Sequence, residues 1–311
     1  MMRTGLLWLS EQQRVFRFLR TNRIARKFAS RFVAGETVEA AIEVARSLNR
    51  RRITATLDLL GESVAHESDA TEARDTYLRM LDQVAAAGVE ANASLKLTQM
   101  GFDLGEDTCV ANMSAVLDRA KARGNFVRID MESSAYTQRT LDLFLQRLYP
   151  AYGPHVGVVI QSCLRRSEED IERLIEARAR VRLCKGAYLE PQDVAYPDKA
   201  DVDRAYVRIM EQLLTRGHYP GLATHDAAII NRARQFTQAR GIDPSRFEFQ
   251  MLYGVRRDLQ DGLRHAGFNV RVYVPFGTQW YPYLMRRLAE RPANIAFMLG
   301  NVVREAVSRP A

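Results

Sequence analysis

The stretch RITATLDLLG, residues 52–61, alternates two kinds of side chain, with Ile53, Ala55, Leu57 and Leu59 on odd positions and Thr54, Thr56 and Asp58 on even ones. Successive side chains of an extended strand point to opposite faces, so the run predicts a strand that is apolar on one face and polar on the other. The same parity returns in EANASLKLTQ (90–99), where Ala93, Leu95 and Leu97 oppose Ser94, Lys96 and Thr98. It returns again in NFVRIDME (125–132), where Val127, Ile129 and Met131 oppose Arg128 and Asp130. Five more β-rich runs follow: HVGVVIQS (155–162), RVRLCKGA (180–187), GLATHD (221–226), RFEFQML (246–252) and NVRVYVPFG (269–277). Helical segments separate them at 72–87, 108–123, 136–149, 167–179, 201–217, 226–240 and 254–266. Strands alternating with helices imply right-handed βαβ units and a parallel sheet, and eight such repeats fit a closed (β/α)8 barrel of the TIM type better than an open sheet. In that barrel the apolar set faces the outer helices and the polar set faces the lumen. Ionisable groups then gather at the C-terminal ends of the strands, where barrel enzymes keep their active sites.

Composition narrows the function classes. A chain of 311 residues with 47% hydrophobic residues can bury the core of one barrel-sized domain or of two smaller ones. The net charge of +8 raises the question of nucleic acid, but the basic residues are spread along the chain and no DNA- or RNA-binding signature appears, so no nucleic-acid partner is expected. Cys109, Cys163 and Cys184 are odd in number and lack metal-ligand spacing, which fits reduced thiols of a cytoplasmic protein without a metal site. No apolar run approaches the ~18 residues that a membrane span needs. The first 35 residues set Arg3, Arg14, Arg17, Arg20, Arg23, Arg26, Lys27 and Arg31 against a single acid, Glu11, with apolar residues at helical spacing. Such a segment is either a basic amphipathic helix lying on an anionic membrane or a helical cap packed on its own domain; the cap is the commoner outcome. The expected organisation is an N-terminal helical segment over 1–50 and a barrel over 51–311.

Several residues invite chemistry. Lysine is scarce, yet Lys96 and Lys185 both fall in predicted strands, where a desolvated ammonium is costly unless paired or used. Lys96 suits an anchor for a substrate carboxylate, a Schiff-base nucleophile of the kind barrel aldolases use, or a buried pair with Asp58 or Asp130. Asp130 ends its strand beside Arg128 and Glu132, and suits either an arginine-holding role or proton chemistry. His225 closes another strand, where a histidine is as often a satisfied core group as a functional one. RLCKGAY (182–188) sets Arg182, Lys185 and Gly186 at a strand's C-terminal end, which suits close backbone approach to a phosphate-bearing cofactor. Neither GxGxxG nor a Walker sequence is present. Finally, WYPYLMRRLAE (280–290) predicts a helix with Tyr283, Arg286, Arg287 and Glu290 on one face and Leu284, Met285, Leu288 and Ala289 on the other. Those arginines suit either a solvated surface or the bidentate grip of a small anion.

Taken in order, LKLTQ, RIDME, VIQS, VRLCKGAY, ATHD, FEFQML, VYVPFG and YPYLMRRLAE resemble the proline dehydrogenase family in its monofunctional bacterial form, across roughly residues 50–300. The resemblance implies a flavoenzyme on a distorted (β/α)8 barrel, with the final helix over the barrel mouth. Such an enzyme oxidises L-proline to 1-pyrroline-5-carboxylate with bound FAD and passes electrons to a membrane quinone, from a cytoplasmic position that allows peripheral membrane contact. Family roles carry over where motifs match. Lys96, Arg286 and Arg287 match the clamp on the proline carboxylate, Asp130 the active-site aspartate, and Arg182 an arginine close to flavin N5. Met131, Gln161, Lys185, Gly186, Ala187, Thr224, His225 and Gln250 match cofactor contacts, and Glu290 an acid that orients arginines or cofactor groups. Tyr188, Leu252, Tyr273 and Tyr283 match the lining around the proline ring. The DNA-binding and aldehyde dehydrogenase modules of the bifunctional relatives have no counterpart in the sequence, so the resemblance implies a separate 1-pyrroline-5-carboxylate dehydrogenase downstream. Two other readings stand beside it: a cofactor-free Schiff-base lyase or aldolase using Lys96, and a basic barrel that only binds.

Overall fold

In the computed structural model, which describes residues 29–284, eight parallel strands close into a barrel in chain order. They are β1 (Thr54–Leu59), β2 (Ala91–Leu95), β3 (Val127–Ile129), β4 (Val156–Gln161), β5 (Arg180–Cys184), β6 (Gly221–Ala223), β7 (Glu248–Leu252) and β8 (Asn269–Phe276). Closure is made by β8 against β1, from Thr54 opposite Arg271 to Leu59 opposite Phe276. All eight expected strands are present, and all but β7 end earlier than the sequence pattern suggests. Lys96 and Lys185 therefore sit one residue beyond β2 and β5 instead of inside them. This correction has a physical reason: at the barrel mouth the chain must leave the ladder to reach its helix, so the last polar residues of each run become loop residues facing the cleft.

The helices lie outside. Helix α1 (Val38–Asn49) precedes the barrel, and α2 (Glu67–Ala87), α3 (Glu106–Ala122), α4 (Ser134–Leu143), α5 (Ser167–Glu176), α6 (Lys199–Arg216), α7 (Ala227–Ala239) and α8 (Arg257–His265) connect successive strands. Helix α4 runs on through a π-helical stretch, Phe144–Leu148, and a last turn at Tyr149–Tyr152. Strand parity decides what is buried where. Ala55, Leu57, Leu95, Ile129, Val158, Leu183, Phe249 and Val272 join the core between sheet and helices, while Asp58, Asp130, Arg182, Gln250 and Tyr273 line the central cleft.

The seam between β8 and β1 is covered by α1, in the place a helix following β8 would take in a regular barrel. Val38, Ala41, Ile42, Ala45 and Leu48 of α1 are buried in the main core, and Thr37 caps the helix by accepting the Ala40 N–H at 3.3 Å. After β8 the chain turns over the mouth: residues 280–284 are helical, and Trp280, Tyr281, Tyr283 and Leu284 pack with Ala29, Phe32, Val33 and Leu60 in a second apolar cluster. The basic segment before Ala29, and Arg286, Arg287 and Glu290, lie outside the described residues. Among the described residues no helix is long and apolar enough to cross a membrane, and no group of acidic, cysteine or histidine side chains is arranged to hold a metal.

Candidate active site

The lumen is a ladder of polar side chains rather than an apolar plug. Near its floor Thr56 donates to Asn92 at 2.6 Å, and Arg271 donates to Asn92 at 2.9 Å and to Glu248 at 2.8 Å. Glu248 accepts from the amide of Gln250, whose carbonyl oxygen in turn accepts from Nε of Arg182. Arg182 Nη1 then donates to Asp130 Oδ1 at 2.6 Å and to Ser94 at 3.2 Å, and Tyr273 closes the ladder by donating to Asp130 Oδ2 at 2.8 Å. The rungs come from β1, β2, β5, β7, β8 and the residue after β3, so only the closed barrel assembles the ladder. Two strand glycines make room, because a Cβ on Gly157 would stand 2.7 Å from Arg128 Nη1 and one on Gly221 would stand 2.4 Å from Gln250 Nε2.

Above the ladder the C-terminal strand ends open into a cleft of about 1430 Å³. Every site residue expected from the sequence that falls within the described residues lines it. Asp130, Arg182, Lys96, Tyr273, Met131, Gln161, Gln250, Leu252, Tyr188 and Tyr283 are among its lining residues. Lys185, Gly186, Ala187, Thr224 and His225 complete the lining on the β5–β6 side. The Leu252 N–H donates to His225 Nε2 at 3.0 Å, which places the ring proton of a neutral imidazole on Nδ1. Thr224 accepts from the Asp226 N–H at 3.1 Å, and Gln161 donates to the Glu132 carbonyl at 2.8 Å.

The charge states follow from the neighbours. Burial works to lower the Lys96 pKa, but the carboxylates of Asp58 and Asp130 outweigh it and hold the ammonium well above its ordinary value. Asp58, whose side chain is 1% exposed, lies 3.9 Å from Lys96; burial dominates there and raises its carboxyl to about 6. Glu132, buried and accepting from the Thr98 hydroxyl at 2.6 Å, is also raised by burial. Of these acids, the strand parity of RITATLDLLG shows that Asp58 faces inward, while its proximity to Lys96 was one alternative among several.

Other participants leave fainter traces. Lys185 is gripped by Asp203 of α6 at 2.5 Å and by Asp226 at 2.9 Å. The aspartate at 226 is legible as the N-cap of α7, where it accepts the Ala228 N–H at 3.0 Å, but nothing in the chain ties Asp203 to the site. Glu248, Arg271 and Gln99 are further polar groups at or below the cleft, and strand alternation is the signal that points the first two inward.

A (β/α)8 barrel whose lumen carries a guanidinium–carboxylate–phenol relay and an ammonium at the C-terminal mouth defines a barrel enzyme for a small charged substrate. The sequence model of the proline dehydrogenase family matches residues 41–299, and the chain belongs to that family of oxidoreductases. It is 43% identical over 279 residues to a proline dehydrogenase of Deinococcus radiodurans, covering 89% of this chain and 90% of that one. It is 39% identical over 300 residues to proline dehydrogenase 1 of Bacillus subtilis strain 168, covering 94% and 99%. Among solved structures, that of proline utilization A (PutA) from Bdellovibrio bacteriovorus inactivated by N-propargylglycine superposes with a TM-score of 0.81 at 25% identity. The match covers 89% of this chain and 34% of that much longer one.

Proposed function

We propose that this chain is an FAD-dependent proline dehydrogenase that oxidises L-proline to 1-pyrroline-5-carboxylate, with a membrane quinone as the final electron acceptor. The observation that carries the reading is the Arg182–Asp130–Tyr273 relay, with Lys96 lining the same cleft. The cleft suits a flavin dinucleotide in three respects. Its volume exceeds the ~300–1,000 Å³ of a usual small-molecule pocket, which leaves room for cofactor and substrate together. Among the described residues the buried Nη2 of Arg182 has no hydrogen-bond partner, a donor that an acceptor atom of a bound ring would satisfy. At Gly186 the backbone adopts φ +104° and a Cβ would meet Cys163 Sγ at 2.4 Å, so the Lys185–Gly186–Ala187 turn that lines the cleft carries no side chain at its centre. Bound FAD supplies the hydride acceptor at its N5.

The chain's own groups do the rest. Lys96, together with Arg286 and Arg287, holds the proline carboxylate, which aims the far side of the ring, C5, at the cofactor. Tyr273, Leu252, Tyr188 and Tyr283 surround the ring, and Tyr273 is fixed by its hydrogen bond to Asp130. Arg182, held by Asp130 and Gln250, together with Gln161, Gln250, Met131, Lys185, Gly186, Ala187, Thr224 and the neutral His225, holds the cofactor, and Glu290 orients the arginines beside it. C5 loses its hydrogen as hydride while the C5–N double bond forms. The lyase reading is weakened by the state of Lys96, since Schiff-base formation needs a neutral amine and the surrounding carboxylates keep this one protonated.

The deciding measurement is the visible spectrum of the purified protein with and without L-proline under anaerobic conditions. A flavin absorbance bleached by proline is expected. A colourless protein that borohydride traps with a carbonyl compound would replace this reading with the lyase.

A further inference from the structure

Asp58, the residue before the last of β1, lies inside the lumen near Tyr273 on β8 and Lys96 just beyond β2, and its side chain is 1% exposed. Among the described residues its buried Oδ1 has no hydrogen-bond partner, and Lys96 Nζ stands off at 3.9 Å. A buried carboxylate oxygen left this way costs free energy unless a donor arrives from the cleft. The neighbouring groups are otherwise engaged. Asp130 accepts from Arg182 and Ser94 on Oδ1 and from Tyr273 on Oδ2. Glu132 accepts from the Thr98 hydroxyl and N–H on its two oxygens. Tyr273 has spent its one proton on Asp130, and Lys96 is a cation with no lone pair to offer.

We propose that Asp58 is the general base that takes the proton from the ring nitrogen of L-proline. The inference rests on the proline dehydrogenase reading and deepens it. Proline binds as the zwitterion, whose secondary ammonium carries no lone pair to drive hydride departure. One N–H bond breaks and its proton goes to Asp58 Oδ1. The freed nitrogen lone pair becomes the second bond of C=N as the C5 hydride leaves to the acceptor, and the protonated imine departs with its carboxylate still held. The Asp58 proton returns to water when the cleft opens. The groups that face Asp58 suit this cycle: burial opposes its ionised form most, Lys96 and the nearby Tyr273 hydroxyl favour that form, and Asp130 and Glu62 oppose it, so the carboxyl is raised to about 6 and is a ready acceptor at neutral pH.

The test uses the flavin-loaded enzyme. For the wild type, kcat/KM for proline should rise with pH through an inflection near 6 and then level, as Asp58 ionises. Asp58→Asn should lose that inflection and lower kcat by ~10²-fold or more. Its flavin content should be retained, as should its affinity for tetrahydrofuran-2-carboxylate, which keeps the carboxylate and replaces the N–H by an ether oxygen. Asp58→Glu, which keeps the base, should restore part of the rate and the inflection. An Asp58→Asn enzyme that keeps the inflection with kcat within about threefold of wild type overturns the proposal. So does one whose affinity for the ether analogue falls in step with kcat, because Asp58 would then act only by placing Lys96. If Asp58→Asn does not load flavin, the wild-type profile and Asp58→Glu decide: no inflection between pH 5 and 7, or an inflection that Asp58→Glu fails to move, also overturns it. Failure of the underlying reading is separately visible, as a wild-type flavin that proline does not bleach.

Discussion

Single residues in this site are chosen by their neighbours as much as by their own chemistry. Gly186 is the sharpest case: φ of +104° is strained for any L side chain, and the Cβ of an alanine would stand 2.4 Å from Cys163 Sγ. Gly186→Ala should therefore cost ~1–3 kcal/mol in denaturant unfolding and lower the flavin-to-protein ratio, while turnover per bound flavin changes little. Normal flavin content in that variant would show that the bare turn is not needed by the cofactor. Lys185 makes the complementary point. The lysine of RLCKGAY suggests a free cation for a phosphate, yet its ammonium is shared by Asp203 and Asp226, so it ties the β5 loop to α6 and α7 as well as lining the cleft. Its place at a strand's end was legible in the sequence. Its partners were not, because Asp203 lies a helix turn into α6 and looks like any surface acid on its own.

Among the elements, α1 departs from a regular barrel. It precedes β1 in the chain but seals the β8–β1 seam, so five of its side chains are part of the main core. Burial of an aliphatic side chain is worth ~1.5–3 kcal/mol, and α1 commits Val38, Ile42 and Leu48 this way. Ala45→Asp, at a position with no exposed surface, should lower stability by ~3 kcal/mol or more by burying an unpaired charge at the seam. Glu43→Ala on the outer face should stay within ~0.5 kcal/mol, and thermal melts of the two variants read the difference. Equal melts would mean the seam is not closed by α1 in solution. Helical patterning in the first fifty residues was visible in the sequence; that its last turns substitute for a barrel helix depends on where the chain goes after Phe276, which pattern within a segment does not encode.

At the scale of the whole molecule, the lumen ladder joins side chains of β1, β2, β5, β7 and β8 to a set of buried charges. Burial alone would raise the Glu248 carboxyl, but Arg271 overrules it, so the group lies below its ordinary range. A depressed folded-state pKa stabilises the protein above the unfolded value and loses that contribution as pH falls through the folded one. Urea midpoints should thus hold through neutral pH and fall steeply on acidification below about pH 4. Glu248→Gln should be less stable by ~3–5 kcal/mol at neutral pH, because Arg271 is left buried and unpaired, and should show a shallower acid limb. An acid limb of unchanged depth in that variant would assign the sensitivity to other carboxylates.

What the sequence determined by itself is the barrel and the polarity of its interior. Alternation along a strand is local geometry, so RITATLDLLG and its seven counterparts declare which side chains face inward, and Asp58, Lys96, Asp130, Arg182, Gln250 and Tyr273 follow from it. What only the tertiary structure decided is which of those inward groups meet. Arg182 reaches Asp130 and lies over the Tyr273 ring across strands far apart in the chain, carboxylates hold Lys96 protonated, and among the described residues one oxygen of Asp58 is left without a donor. The physical reason is that parity depends on the pleat alone, whereas pairing and protonation depend on barrel closure, inter-strand register and exclusion of water, none of which exists until distant segments pack together.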